Sequence, residues 1–71
     1  MLIADLEKNQ RERIRVSIED YHDHRFIDCR VYYQGDTGTW RPTRKGIALN
    51  PDCLDDVIKS LKKAKGELEG R

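Results

Sequence analysis

RPTRKGIALNPDCLDDVIKSLKKAK, residues 41–65, holds the passage from strand to helix that decides the fold. Arg44 to Leu49 alternates, with Lys45, Ile47 and Leu49 on one side and Arg44, Gly46 and Ala48 on the other, which reads as a strand. Asn50 then stands as an N-cap, and Pro51 suits the first helical position, whose N–H has no partner in any case. Leu54, Val57, Ile58, Leu61 and Ala64 follow at helical spacing as one apolar stripe. Asp52, Asp55 and Asp56 open the segment, and Lys59, Lys62, Lys63 and Lys65 come later, the order that the helix dipole favours. Gly66 offers a stop, so the helix is expected over 51–65 and residues 67–71 as a tail.

Upstream, Ile14, Val16 and Ile18 alternate with Arg13, Arg15, Ser17 and Glu19, the period-two pattern of a half-buried strand. Tyr21-His22-Asp23-His24 interrupts it as a turn. Arg25 to Tyr33 resumes with residues that favour strands; Ile27, Cys29 and Val31 share one face, and Phe26, Asp28, Arg30 and Tyr32 share the other. Gln34-Gly35-Asp36-Thr37-Gly38 is a second turn. A short strand begins near Thr39-Trp40-Arg41, and Pro42 marks an edge or a bend. The expected fold is α+β: antiparallel strands over about 13–20, 24–33, 38–42 and 44–49, then one amphipathic helix. Residues 1–12 mix charge and polarity and are expected to form a weakly ordered arm, leaving 13–66 as the single domain.

Seventy-one residues bury too little surface for a strong core, so a staple is needed. Cys29 and Cys53 form no C-x-x-C pair and read as buried apolar groups in a reducing compartment, which leaves dimerisation through the helix stripe. There is no signal peptide and no apolar run of membrane-spanning length, so a cytoplasmic or nucleoid location is expected, nuclear in a eukaryotic source. The net charge is only +1, but Trp40 to Leu49 holds three cations and no acid, a local basic strip.

One helix covers one sheet face. The other stays open with aromatics and arginines, a surface suited to unpaired bases that stack on rings while cations hold phosphates. His22 and His24 make half a zinc site, and no fourth ligand accompanies Cys29, so no metal is expected. No nucleophile–base pair or phosphate loop is present, and neither an enzyme nor a cofactor is expected.

VSIEDY (16–21), FIDCRVYY (26–33) and RPTRKGIALNPD (41–52), in this order and spacing, resemble the positive cofactor 4 family of transcriptional coactivators, across about Arg13 to Lys65. The resemblance implies a curved four-stranded antiparallel sheet, a following helix, and a two-fold homodimer whose helices meet through Leu54, Val57, Ile58 and Leu61. It implies sequence-tolerant binding of single-stranded DNA or melted duplex and no cofactor. Single-stranded RNA and a protein of the transcription machinery stand as alternative partners. Tyr21 falls at a stacking position of the family, Tyr33 replaces a stacking Trp, and Arg30 matches a DNA-contacting Arg. Arg44, Lys45 and Gly46 match an RKG run, and Arg15 falls near a basic position. His22 and His24 stand where the family often has lysines, which implies weaker or pH-dependent phosphate contact. Trp40 is an added ring and Arg41 an added cation beside it. Arg30 and Tyr33 differ in parity, so joint contact with DNA requires a bulge or strong twist between them. With no Ser-rich stretch ahead of Arg13, the chain is expected to be of the short bacterial or viral type rather than the eukaryotic one with its Ser-rich N-terminal extension.

Overall fold

The computed structural model describes residues 1–70. Its elements are β1 (Leu2–Glu7), β2 (Glu12–Tyr21), β3 (His24–Gln34), β4 (Trp40–Leu49) and α1 (Pro51–Glu69). The strands form one antiparallel sheet in the order β1-β2-β3-β4, a meander with β1 and β4 at its edges.

Three expectations are corrected. The expected arm over 1–12 holds β1. Its amino terminus donates to Ile18 O at 2.7 Å, and Ile18 N donates to Met1 O at 2.9 Å. Asp5 ties β1 to β2 by ion pairs with Arg13 at 2.6 Å and Arg15 at 3.3 Å. Ala4 and Leu6 lie opposite Val16 and Ile14, which extends the apolar face by two residues. The strands expected at 38–42 and 44–49 are one strand, β4. Pro42 is accommodated because β4 is an edge and leaves one row of backbone groups unpaired. The helix does not stop at Gly66: a mid-helix Gly costs only about 1 kcal/mol, and the final turn gains a Lys65–Glu69 pair at 3.9 Å. Gly70 N donates to Gly66 O at 2.8 Å and ends the helix. Of the expected tail, Arg71 lies outside the described residues.

The turn between β2 and β3 puts both central residues in the left-handed region, His22 at φ 48° and Asp23 at φ 64°. This is the geometry that two-residue hairpin loops favour, although Gly or Asn usually supplies it.

Register assigns the two faces. Ile14, Val16, Ile18, Ile27, Cys29, Val31, Ile47 and Leu49 lie on the side of the helix. Arg13, Arg15, Ser17, Tyr21, Phe26, Asp28, Arg30 and Tyr32 lie on the far side. The helix meets the sheet at one corner, where Ile18, Ile27, Leu49, Pro51 and Leu54 line a recess of about 250 Å³. The molecule is a slab of 40 × 40 × 18 Å, and no side chain is fully buried among the described residues. On the helix stripe Leu61 is 65% exposed and Ile58 42%, and on the sheet Ile47 is 55% exposed. The cysteines differ from the expected burial: Cys29 is half-buried, and Cys53 is exposed in the first helical turn, with its thiol 3.4 Å from Asn50 O. Asn50 occupies the cap position, but its side chain makes no capping bond.

Candidate nucleic-acid interface

The pairing of β3 with β4 contains the feature that shapes the site. Arg30 lies opposite Gly46 and Tyr32 opposite Pro42, so one β3 residue, Val31, faces three on β4: Thr43, Arg44 and Lys45. The bulge is held from within. Thr43 Oγ1 donates to Val31 O at 2.8 Å and accepts from Lys45 N at 3.1 Å. Arg30 donates to Thr43 O through Nη1 at 2.9 Å, and to Asp28 through Nε at 3.0 Å and Nη2 at 2.9 Å. This paired carboxylate raises the pKa of the Arg30 guanidinium. Gly46 sits beneath it: an added Cβ would lie 2.7 Å from Cys29 O and 3.0 Å from the Arg30 guanidinium carbon. The Gly of the RKG run therefore permits close approach of two strands.

The bulge leaves Arg44 and Lys45 exposed. Among the described residues no carboxylate lies within ion-pair distance of Arg41, Arg44 or Lys45. Lys45 acts on Glu12 only at longer range; that carboxylate is held below its usual range chiefly by hydrogen bonds from Asn9 and Lys8. The cations of the far face are in a different state. Arg13 and Arg15 share Asp5, whose pKa the Arg13 hydrogen bond lowers, and Arg30 is bidentate to Asp28. Arg13 also lies 5.6 Å from the centre of the Trp40 ring, and Arg15 lies 4.5 Å from that of Tyr32.

The aromatics are divided as well. A far-side trough of about 560 Å³ is lined by Tyr21, Phe26 and Tyr32, along with Glu19, Asp20, Asp28 and Arg30. Tyr21 is 66% exposed, with the His22 ring edge-on to it at 4.2 Å. His24 pairs across the turn from Tyr21. Tyr33 is on the helix side, beside Arg41 on β4 and Glu12 on β2. Tyr33 stands nine positions beyond His24 along β3, roughly 30 Å at about 3.3 Å per residue. The β2–β3 register is unbroken between Arg30 and Tyr33, so these two point to opposite faces. The bulge that joint contact called for exists, but it lies in β4 and leaves β3 regular.

Residues 8–60 match the family Transcriptional Coactivator p15 (PC4). The chain belongs to that family. Its members are coactivators that bind nucleic acid, not enzymes. Among curated relatives, the RNA polymerase II transcriptional coactivator SUB1 of Saccharomyces cerevisiae is 38% identical over 58 residues. That match takes in 80% of this chain but only 18% of the yeast protein. Among solved structures, a PC4 homologue from Burkholderia pseudomallei superposes with a TM-score of 0.84 at 37% identity, covering 92% of this chain and 88% of that one. A MoSub1 structure solved as a complex with single-stranded DNA gives a TM-score of 0.61 at 28% identity, covering 94% and 77%.

Two rings and one cation stand outside the site residues expected from sequence. Phe26 and Tyr32 line the far-side trough, and the alternation of β3 already places both on the wet face. Arg11 lines a groove with Tyr33 and Arg41; it falls in the expected arm because nothing local marks β1 as a strand. Among the described residues no group of three or more potential metal ligands is present, and no helix is long and apolar enough to cross a membrane.

Proposed function

We propose that this protein captures single-stranded DNA with little sequence preference, as an accessory factor in transcription or DNA metabolism. The observation that carries the reading is the β4 bulge, which presents Arg44 and Lys45 with no acid in ion-pair distance among the described residues. Free cations release counterions from phosphates on binding. Exposed rings at Tyr21 and Tyr33 offer stacking surfaces worth about 1–3 kcal/mol per base without reading its identity. The family and the DNA-bound relative support the choice of ligand.

The active form in this reading is a homodimer. Its support is the wet apolar surface: a helix stripe of Leu54, Val57, Ile58 and Leu61 whose last two members are exposed, and a sheet face that the helix covers only at a corner. Pairing also offers a way to bring Tyr21 of one protomer and Tyr33 of its partner onto one strand, which a single protomer holds on opposite faces.

Titration into an oligo-dT of about twenty nucleotides and into a matched duplex, across several salt concentrations, tests the reading. Salt-sensitive preference for the single strand is expected, with Tyr21→Ala weakening it tenfold or more. Absence of binding at low salt would reject it.

A further inference from the structure

We infer that Arg11 and Arg41 form a phosphate clamp beside Tyr33, a subsite for one unpaired nucleotide at the end of the sheet remote from Tyr21. The inference rests on the single-strand reading above and adds a residue outside the region where that reading found its contacts.

Arg11, Tyr33 and Arg41 line one groove of about 510 Å³, with Gln34, Gly35 and Thr37 in its walls and Asp36 on its lining as the single acid. Tyr33 is 43% exposed, enough ring to carry a base. Neither arginine has a carboxylate within ion-pair distance among the described residues, so both forks remain free for a phosphate, whose geometry they match. Both walls are fixed by their own hydrogen bonds. On one side Asn9 Oδ1 accepts from Arg11 N at 2.9 Å and Glu12 N at 2.8 Å, and Gln34 N donates to Arg11 O at 3.1 Å. On the other, Gly35 N donates to Thr39 O and Gly38 N to Gly35 O, each at 2.9 Å, with Gly38 at φ 83°. The Arg41 side chain lies across Gly35, close to where a Cβ would stand. A groove whose walls are already ordered loses little entropy when a ligand enters. An aromatic ring flanked by two free guanidinium groups suits a planar base with its adjoining phosphate.

The test compares wild type with Arg11→Ala and Arg11→Lys on the oligo-dT across salt concentrations. Arg11 is held through its backbone, and its side chain has no bonding partner among the described residues, so the alanine variant keeps its fold, checked by an unchanged melting temperature. Arg11→Ala is expected to bind roughly fivefold more weakly at low salt, with a salt slope smaller by about 0.7, the share of one phosphate contact. Arg11→Lys retains most of the slope. Wild-type affinity and slope in Arg11→Ala, with wild-type binding intact, would overturn the clamp and leave the broader reading standing. Failure of the wild type to bind removes both. The dinucleotide pTpT gives a second readout: the Tyr33 ring resonances shift on its addition, and unmoved resonances overturn the subsite.

Discussion

The far face of the sheet and the β4 bulge hold similar numbers of cations, yet they offer different amounts of charge to a ligand. On the far face Arg13 and Arg15 share Asp5, and Arg30 is locked to Asp28. At the bulge and just before it, Arg41, Arg44 and Lys45 have no such partner among the described residues. A phosphate reaching the first set must displace a carboxylate already in place; one reaching the second displaces only water and counterions. The strength of a basic surface therefore lies in its unpaired cations, and counting arginines along a strand overstates it. The paired cations also tie the fold together, and Arg30 braces the bulge that displays the free ones.

The dependence of the second set on the first is open to attack at Gly46. Gly46→Ala places a methyl group against Cys29 O and the Arg30 guanidinium. Overpacking of this kind costs about 1–3 kcal/mol, so the melting temperature falls, and binding falls with it because Arg30 loses its seat. A variant that melts and binds like wild type would separate the bulge from its brace. The next effect is on binding alone. Lys45→Ala should reduce the salt slope for single strands by about 0.7, while Arg15→Ala should change affinity less than twofold. Equal losses from the two would erase the distinction between free and paired cations. The smallest effect is in acid. Asp5 has its pKa lowered from 3.8 in the fold, chiefly by Arg13, so its stabilising pair is complete above about pH 4 and is lost as pH falls through the lowered value. Protection of the β1 amides against exchange should fall in that range, and Asp5→Asn should reduce that dependence to the share of Glu12.

The sequence was legible where one physical rule acts over a long run. Period-two alternation in Ile14, Val16 and Ile18 and in Ile27, Cys29 and Val31 located β2 and β3, because each strand has one apolar face. Asn50-Pro51 placed the start of the helix. β1 was not legible: LIADLE has no clear alternation, and its pairing depends on Asp5 meeting arginines eight and ten positions away. The same gap concealed the state of Arg15, since its carboxylate partner lies on the strand that was missed. β4 reads as two strands because Pro42 looks like a terminus, and the bulge that follows is a matter of register with β3, which local pattern does not encode. The candidate site was thus proposed from residue types, whereas which cations are spoken for emerged only in three dimensions.

A slab 18 Å thick with no fully buried side chain among the described residues has a further consequence. In the proposed homodimer, its stability is shared with the partner chain. Whatever covers the wet apolar face adds to the folded state by mass action, so the folded fraction follows the dose of protein and of its cover. If the helices pair as proposed, dilution acts on this molecule as mild heating acts on a protein with an interior.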